Sequence, residues 1–139
     1  MNADTEWSAI RASLNQRANF PRPKRGQIWW CALGPEVGSE QSNRVGFERP
    51  VLVIKVFGTV FWGLPITRSD PWKSKKRSAL FYMLEDMTYE NQSGETKVLT
   101  GYVALSQLRT FDARRLSRKI LKLDAKTGDA IVRKLKGFM

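Results

Sequence analysis

Two runs of strand-forming residues, Gln27 to Leu33 and Val51 to Phe57, stand on either side of a polar connection covering residues 36 to 49. No other feature restricts the possible folds so much. In the first run Ile28, Trp30 and Ala32 alternate with Trp29, Cys31 and Leu33, so a strand here is apolar on both faces. Both faces then need cover, one from the core and one from another element or a second subunit. Gly34 and Pro35 stop the run. Pro50 can open the second strand without breaking a ladder, and Val51, Leu52, Val53, Ile54, Val56 and Phe57 supply β-branched and aromatic residues. The connection carries Gly38, Gly46 and alternating charges, and loops of that length in a compact domain are more often functional than idle.

The rest of the chain continues the pattern. A turn near Gly58 leads to Phe61, Trp62, Leu64 and Ile66, and Thr67 to Pro71 closes that strand before the basic run Lys73 to Arg77. Ala79 to Leu84 and Lys97 to Leu105 are further strand candidates, with Glu85 to Thr96 polar and turn-rich and the reversal at Asn91 to Gly94. Ser106 or Thr110 and Asp112 offer local caps for short helical turns around Ala113 to Leu116, and Arg118 to Leu123 is a last strand candidate. From Asp124 or Thr127 the spacing of Ile131, Leu135 and Phe138 predicts a terminal helix, which Gly128 weakens without excluding. At the other end, Asp4 or Thr5 caps a short helix with Trp7, Ile10 and Leu14 at helical spacing, stopped by Pro21 and Pro23. The expected fold is mainly β with short helices, a small antiparallel barrel. Residues 1–24 form a helical appendage and proline-rich linker, and residues 25–139 form the barrel domain with its C-terminal helix.

Composition narrows the function. With 24 Lys and Arg against 13 Asp and Glu, the 139-residue chain carries a formal charge of +11. That excess favours a polyanionic partner. Nucleic acid fits better than a membrane, because the basic residues are spread among strand-like segments instead of lining one amphipathic helix. A basic surface with no dedicated partner is the plain alternative. The single cysteine, Cys31, excludes an intrachain disulfide and sits in an apolar strand pattern, where a buried inert thiol is the expectation. With no histidine, the usual N/S ligand sets for zinc cannot be assembled, so no metal site is expected. No secretory signal or membrane span is apparent, which points to the cytoplasm.

Several blocks in one order carry a resemblance: Arg25-Gly26-Gln27-Ile28-Trp29, Gly34-Pro35, Gly38-Ser39-Glu40-Gln41, Arg49-Pro50-Val51-Leu52-Val53-Ile54, Pro65-Ile66-Thr67, and Leu105 to Asp112 with Arg115-Leu116. Together they resemble the PemK/MazF family of toxins from toxin–antitoxin pairs. The resemblance covers roughly residues 25 to 123. It implies an SH3-like barrel, a homodimer, and metal-independent, sequence-selective cleavage of single-stranded RNA, typically mRNA, leaving a 2′,3′-cyclic phosphate and a 5′ hydroxyl. No cofactor is implied. A cognate antitoxin is implied as partner, with operator DNA contacted only through the antitoxin complex.

By the resemblance, Arg49 is the catalytic arginine and Thr67 the strand-end threonine that accompanies it. A guanidinium holds phosphate bidentately but is a poor base, so Arg49 is assigned the electrostatic clamp. The Thr67 hydroxyl donates to a nonbridging oxygen, and Glu40 orients Arg49 or accepts the 2′ proton. Glu48 is a rival carboxylate. Gly38, Ser39, Gln41, Arg44, Arg68, Lys73, Lys75, Lys76, Arg77 and Gln107 are assigned to RNA contact, the basic ones through phosphates. Arg25, Gly26, Pro50, Arg109 and Asp112 are assigned to the fold, with Asp112 pairing Arg109 or Arg115. Two positions depart from PemK-like relatives: Ser39 replaces a histidine and Ser106 an acidic residue, leaving the MazF-like pair of Arg49 and Thr67 intact. The rival reading is a noncatalytic SH3-like module that binds nucleic acid or antitoxin.

Overall fold

The computed structural model describes residues 3–17, 19–34, 48–68 and 78–139. Seven antiparallel strands make one strongly curled sheet, a half-barrel, with a helix at each end of the chain. The strands are β1 (Gln27–Ala32), β2 (Glu48–Phe57), β3 (Val60–Thr67), β4 (Phe81–Glu90), β5 (Thr96–Ala104), β6 (Arg109–Asp112) and β7 (Leu116–Lys122). The helices are α1 (Ala3–Asn15) and α2 (Ala125–Phe138). The sheet order is β4-β5-β3-β2-β1-β7, and β6 pairs with the other stretch of β3.

Two apolar clusters occupy the two faces, as the double-sided pattern of β1 requires. Ile28, Trp30, Leu52, Leu64, Ile66, Leu84, Val103 and Leu105 form the larger one, and α2 closes it with Ile131 and Leu135. Asp124 caps α2 by accepting a hydrogen bond from the Thr127 amide. Phe138, expected on the same stripe, is instead 43% exposed in the last turn of the helix. On the opposite face Cys31, Val51, Val53, Phe61, Phe111, Ala113 and Leu116 form the smaller cluster, with Phe20 from the N-terminal segment packed against it.

The sheet curls back on itself where the β4–β5 hairpin meets β7: Arg118 Nη1 donates to Gln92 Oε1 at 3.0 Å. Gly26 fastens the other end. At φ +87° its amide donates to Val53 and its carbonyl accepts from Leu123, both at 2.9 Å, so this positive-φ glycine ties β2 to the exit of β7. Its neighbour Arg25 makes only an exposed 4.0 Å contact with Asp129, worth little in water.

Some boundaries differ from the sequence expectation. The strand expected at Ala79 to Leu84 starts with a short helical turn at Ser78–Leu80 and then runs on to Glu90. Its polar half alternates between half-buried Met87 and Tyr89 and exposed neighbours, which is how a half-solvated hairpin arm looks in sequence. The last strand begins at Leu116, two residues before the expected start.

Candidate active site

The two ends of the 35–47 connection are held together by the pairing of Ala32 with Glu48. Arg49 follows at once, opposite Cys31 on β1, with Pro50 opposite Trp30. Directly opposed residues share a face, so Arg49 lies on the face of the smaller cluster. On its other side, the β2–β3 ladder ends at the pairing of Val51 with Pro65, two residues from Arg49 on one strand and two from Thr67 on the other. Two residues 18 positions apart in sequence are thus brought to the same end of one ladder.

Arg49 is only 5% exposed, the one charged residue in the buried class among those described. A buried positive charge is costly unless it meets negative charge. Packing on both sides fixes its direction: Val51 and Val53 below it on β2 are fully buried. Next to it Glu48 accepts a hydrogen bond from Ser117 Oγ on β7, so that carboxylate is committed to the sheet. Thr67 ends β3 half-buried, pairs with Tyr102 of β5, and hands over to exposed Arg68. Thr67 and Arg68 also border a small cavity of about 40 Å³ with Trp30, Pro50, Tyr89 and Thr100.

Below Arg49, Cys31 is fully buried, and burial pushes its thiol up to about 12 against the opposing pull of Arg115 and Arg109. It is an inert packing thiol, as the strand pattern predicts. Arg109 and Arg115 line a groove of about 290 Å³ with Ala32, Leu33, Thr110, Phe111 and Asp112, next to Cys31 along β1. The Arg109 guanidinium sits 5.0 Å over the Phe111 ring, a cation–π arrangement that fixes it at the groove wall.

Asp112 corrects an expectation. Its partner is Arg114, which donates from Nε to both carboxylate oxygens at 3.1 Å and from Nη2 at 2.6 Å, a forked pair. The same carboxylate caps the short turn Ala113–Arg115 through the Arg114 amide. These hydrogen bonds hold the Asp112 carboxyl below the usual carboxylate range. Arg114 was missed from sequence, although a capping aspartate two residues ahead of an arginine is a readable signal.

Of the residues assigned to RNA contact, Gln107 lies exposed in a short helical turn, Leu105–Gln107, that leads from β5 to β6 and packs beside β3. Ser106 is exposed beside it. Gly38, Ser39, Glu40, Gln41, Arg44, Lys73, Lys75, Lys76 and Arg77 lie outside the described residues. The aromatic candidates divide: Trp30 and Phe61 are core, Trp29 is half-buried with its indole N–H on Gln27, and Trp62 is 43% exposed in an edge contact with Phe57. Among the described residues no group of three or more Cys, Asp or Glu is placed to hold a metal ion. No helix is long and apolar enough to cross a membrane.

With this geometry in place, the relatives become informative. Residues 24–139 match the family described as PemK-like, MazF-like toxin of type II toxin-antitoxin system. The chain belongs to this toxin family. The MazF-like chain is 32% identical over 109 residues to Endoribonuclease EndoA of Bacillus subtilis (strain 168), covering 78% of the present chain and 86% of that protein. Its fold is similar to an endoribonuclease in complex with its cognate antitoxin from Mycobacterial species, at TM-score 0.55 and 17% identity, covering 83% and 90% of the two chains. It is likewise similar to MazF from Deinococcus radiodurans, at TM-score 0.53 and 20% identity, covering 84% and 94%. The MazF-like fold expected from the sequence is therefore the fold observed. The match begins at residue 24, so α1 belongs to the part of the toxin that the family does not describe.

Proposed function

We propose that this toxin is an endoribonuclease that cleaves single-stranded RNA, with mRNA the expected class, by attack of a ribose 2′ oxygen on the adjacent phosphorus. The observation that carries the reading is the buried Arg49 at the end of the β2–β3 ladder where β3 also delivers Thr67. The bond from O2′ to phosphorus forms, the bond from phosphorus to O5′ breaks, and the O2′ proton leaves while O5′ gains one. The products are a 2′,3′-cyclic phosphate and a 5′ hydroxyl, so no water is consumed in the cleavage step.

Arg49 contributes fixed positive charge where the phosphorane oxygens become more negative, and a direction-bound fork that a solvated cation lacks. Thr67, stiff at χ1 because it is β-branched, donates its hydroxyl to the same phosphate. Glu40 is assigned proton acceptance from O2′, on the resemblance of its loop to the family motif. None of these steps draws on a metal ion. A second copy of the chain and an antitoxin that covers the basic groove complete the proposal, and operator DNA enters only through the antitoxin.

Single-turnover cleavage of a mixed-sequence RNA by Arg49→Ala and Thr67→Val tests the assignment. Removing one preorganised donor in such sites costs about 10²–10³ in rate. Arg49→Ala should lose about 10³ or more, and Thr67→Val less, with the far-ultraviolet circular dichroism of both unchanged. Wild-type cleavage by a folded Arg49→Ala protein would sink the assignment.

A further inference from the structure

The N-terminal helix is bolted to the groove beside Arg49. Trp7 packs on Gly34, where an added Cβ would lie 2.7 Å from the indole and where φ is +84°. The Arg115 guanidinium lies over the same indole, 5.4 Å from the ring centre. Two further anchors fix the helix end: Arg17 Nη1 donates to the carbonyls of Arg114 and Leu116 at 2.8 and 2.9 Å, and Arg114 Nη1 donates to the Asn15 carbonyl at 2.7 Å. The appended segment therefore touches the loop entrance at Gly34 and the groove arginine at once.

The groove itself has the chemistry of an anion subsite. Arg109 and Arg115 line it, each laid against an aromatic ring, and Thr110 adds a hydroxyl. Asp112, the one carboxylate in the lining, is committed to Arg114, so it does little to repel a phosphate. At about 290 Å³ the groove is open and large enough to admit a phosphodiester. Ala32 of the lining follows Cys31 on β1, and Cys31 lies opposite Arg49 on the ladder, so the groove starts one residue along from the Arg49 pair.

We infer that this groove holds a second phosphate of the RNA strand, away from the scissile one, and that Trp7 of α1 is a positioning residue that presents Arg115 to it. The inference rests on the RNA-cleaving reading above for its ligand; Arg109 and Arg115 lie within the family match, and Trp7 lies outside it. Arg115 supplies affinity and salt dependence, not rate. Trp7 acts only through Arg115, by holding the guanidinium flat against the indole face.

The test is a salt titration with a 2′-O-methyl RNA, which binds but has no nucleophile, against the full chain and its Arg115→Ala, Trp7→Ala, Trp7→Phe and doubly substituted variants. Arg115→Ala should weaken binding about five- to tenfold and lower the slope of log K against log salt by about 0.7, one phosphate contact on a single strand. Trp7→Ala should weaken binding about two- to fivefold, Trp7→Phe should restore most of it, and Trp7→Ala should add little once Arg115 is gone. An Arg115→Ala protein with wild-type affinity and slope would overturn the subsite, and full additivity of the two substitutions would overturn the role of Trp7. If Trp7→Ala does not fold, Trp7→Phe and Arg115→Lys carry the comparison. A wild-type chain that binds the modified RNA with the predicted slopes yet leaves unmodified RNA intact would refute the enzymatic reading and keep the subsite.

Discussion

Gly63 lies in β3 where the backbone passes close to its neighbours, and replacing it by alanine gives a prediction with a calculable size. Gly63 faces Arg109 of β6 and Val53 of β2 across its two ladders. A Cβ built there would lie 2.7 Å from Val51 Cγ1 and 3.0 Å from two ring atoms of Phe111. Neither neighbour has slack: Val51 is fully buried, and Phe111 is stacked on Phe61 with ring centres 5.5 Å apart. Overpacking of this kind costs about 1–3 kcal/mol, offset by about 0.4–1 kcal/mol from the lower backbone entropy of alanine in the unfolded chain. The net destabilisation is about 0–2.6 kcal/mol. For a domain of this size that lowers Tm by up to roughly 10 °C, readable by thermal and urea unfolding. Because Phe111 carries the stacked Arg109, RNA affinity should also fall. A Tm above that of wild type would show that β3 and β6 do not approach as described.

Three further outcomes follow from particular side chains. Arg49→Lys keeps the charge but not the fork, and should lose about 10² or more in cleavage rate with Tm nearly unchanged, since point charge and bidentate geometry are not equivalent. Cys31, with its thiol pushed up to about 12 by burial, should resist alkylation at pH 8 until the chain is unfolded in denaturant; rapid labelling of the folded protein would contradict its placement. The folded Asp112 carboxyl titrates below its ordinary value of 3.8, chiefly through its hydrogen bonds from Arg114. Near that pH the unfolded chain binds more protons than the native one, so the stabilisation is full above about pH 4 and is lost as pH falls through the folded pKa. Wild type should lose more Tm than Asp112→Asn between pH 4 and pH 2.5, and equal losses would refute the pairing.

How much of this was legible in the sequence depended on whether a feature was local. β1, β2 and β3 announce themselves, because β-branched and aromatic runs are punctuated by Gly34, Pro50 and Gly58, and the two-faced apolarity of β1 anticipates two clusters. β6 was not visible: Arg109 to Asp112 is short and polar, and it is a strand only because the Val60–Gly63 stretch of β3 offers it an edge. The polar half of β4 was hidden for a similar reason, its alternation having exposed charges where a buried strand has none. Asp112 was recognised as a cap and a charge partner, yet nothing in spacing alone chooses Arg114 over Arg109 or Arg115.

The candidate site divides along the same line. Arg49 and Thr67 were named through family resemblance, while their shared place at one end of the β2–β3 ladder is a property of register that sequence spacing does not reveal. Burial of Arg49 could not be foreseen either, since an arginine before a proline in a polar loop reads as solvated. The docking of α1 lay furthest from view. Its helical spacing was evident, but Trp7 finds Gly34 and Arg115, residues 27 and 108 positions away, and no periodicity encodes such a contact.

The central claim is that Arg49 and Thr67 work on the RNA's own 2′ oxygen. The most direct measurement is incubation of the wild-type chain with a long mixed-sequence single-stranded RNA in EDTA, followed by mapping of the new ends and kinase labelling without prior phosphatase. The account predicts discrete cuts whose 5′ ends accept phosphate at once because they are hydroxyls. Intact RNA, or products bearing 5′ phosphates, would contradict it.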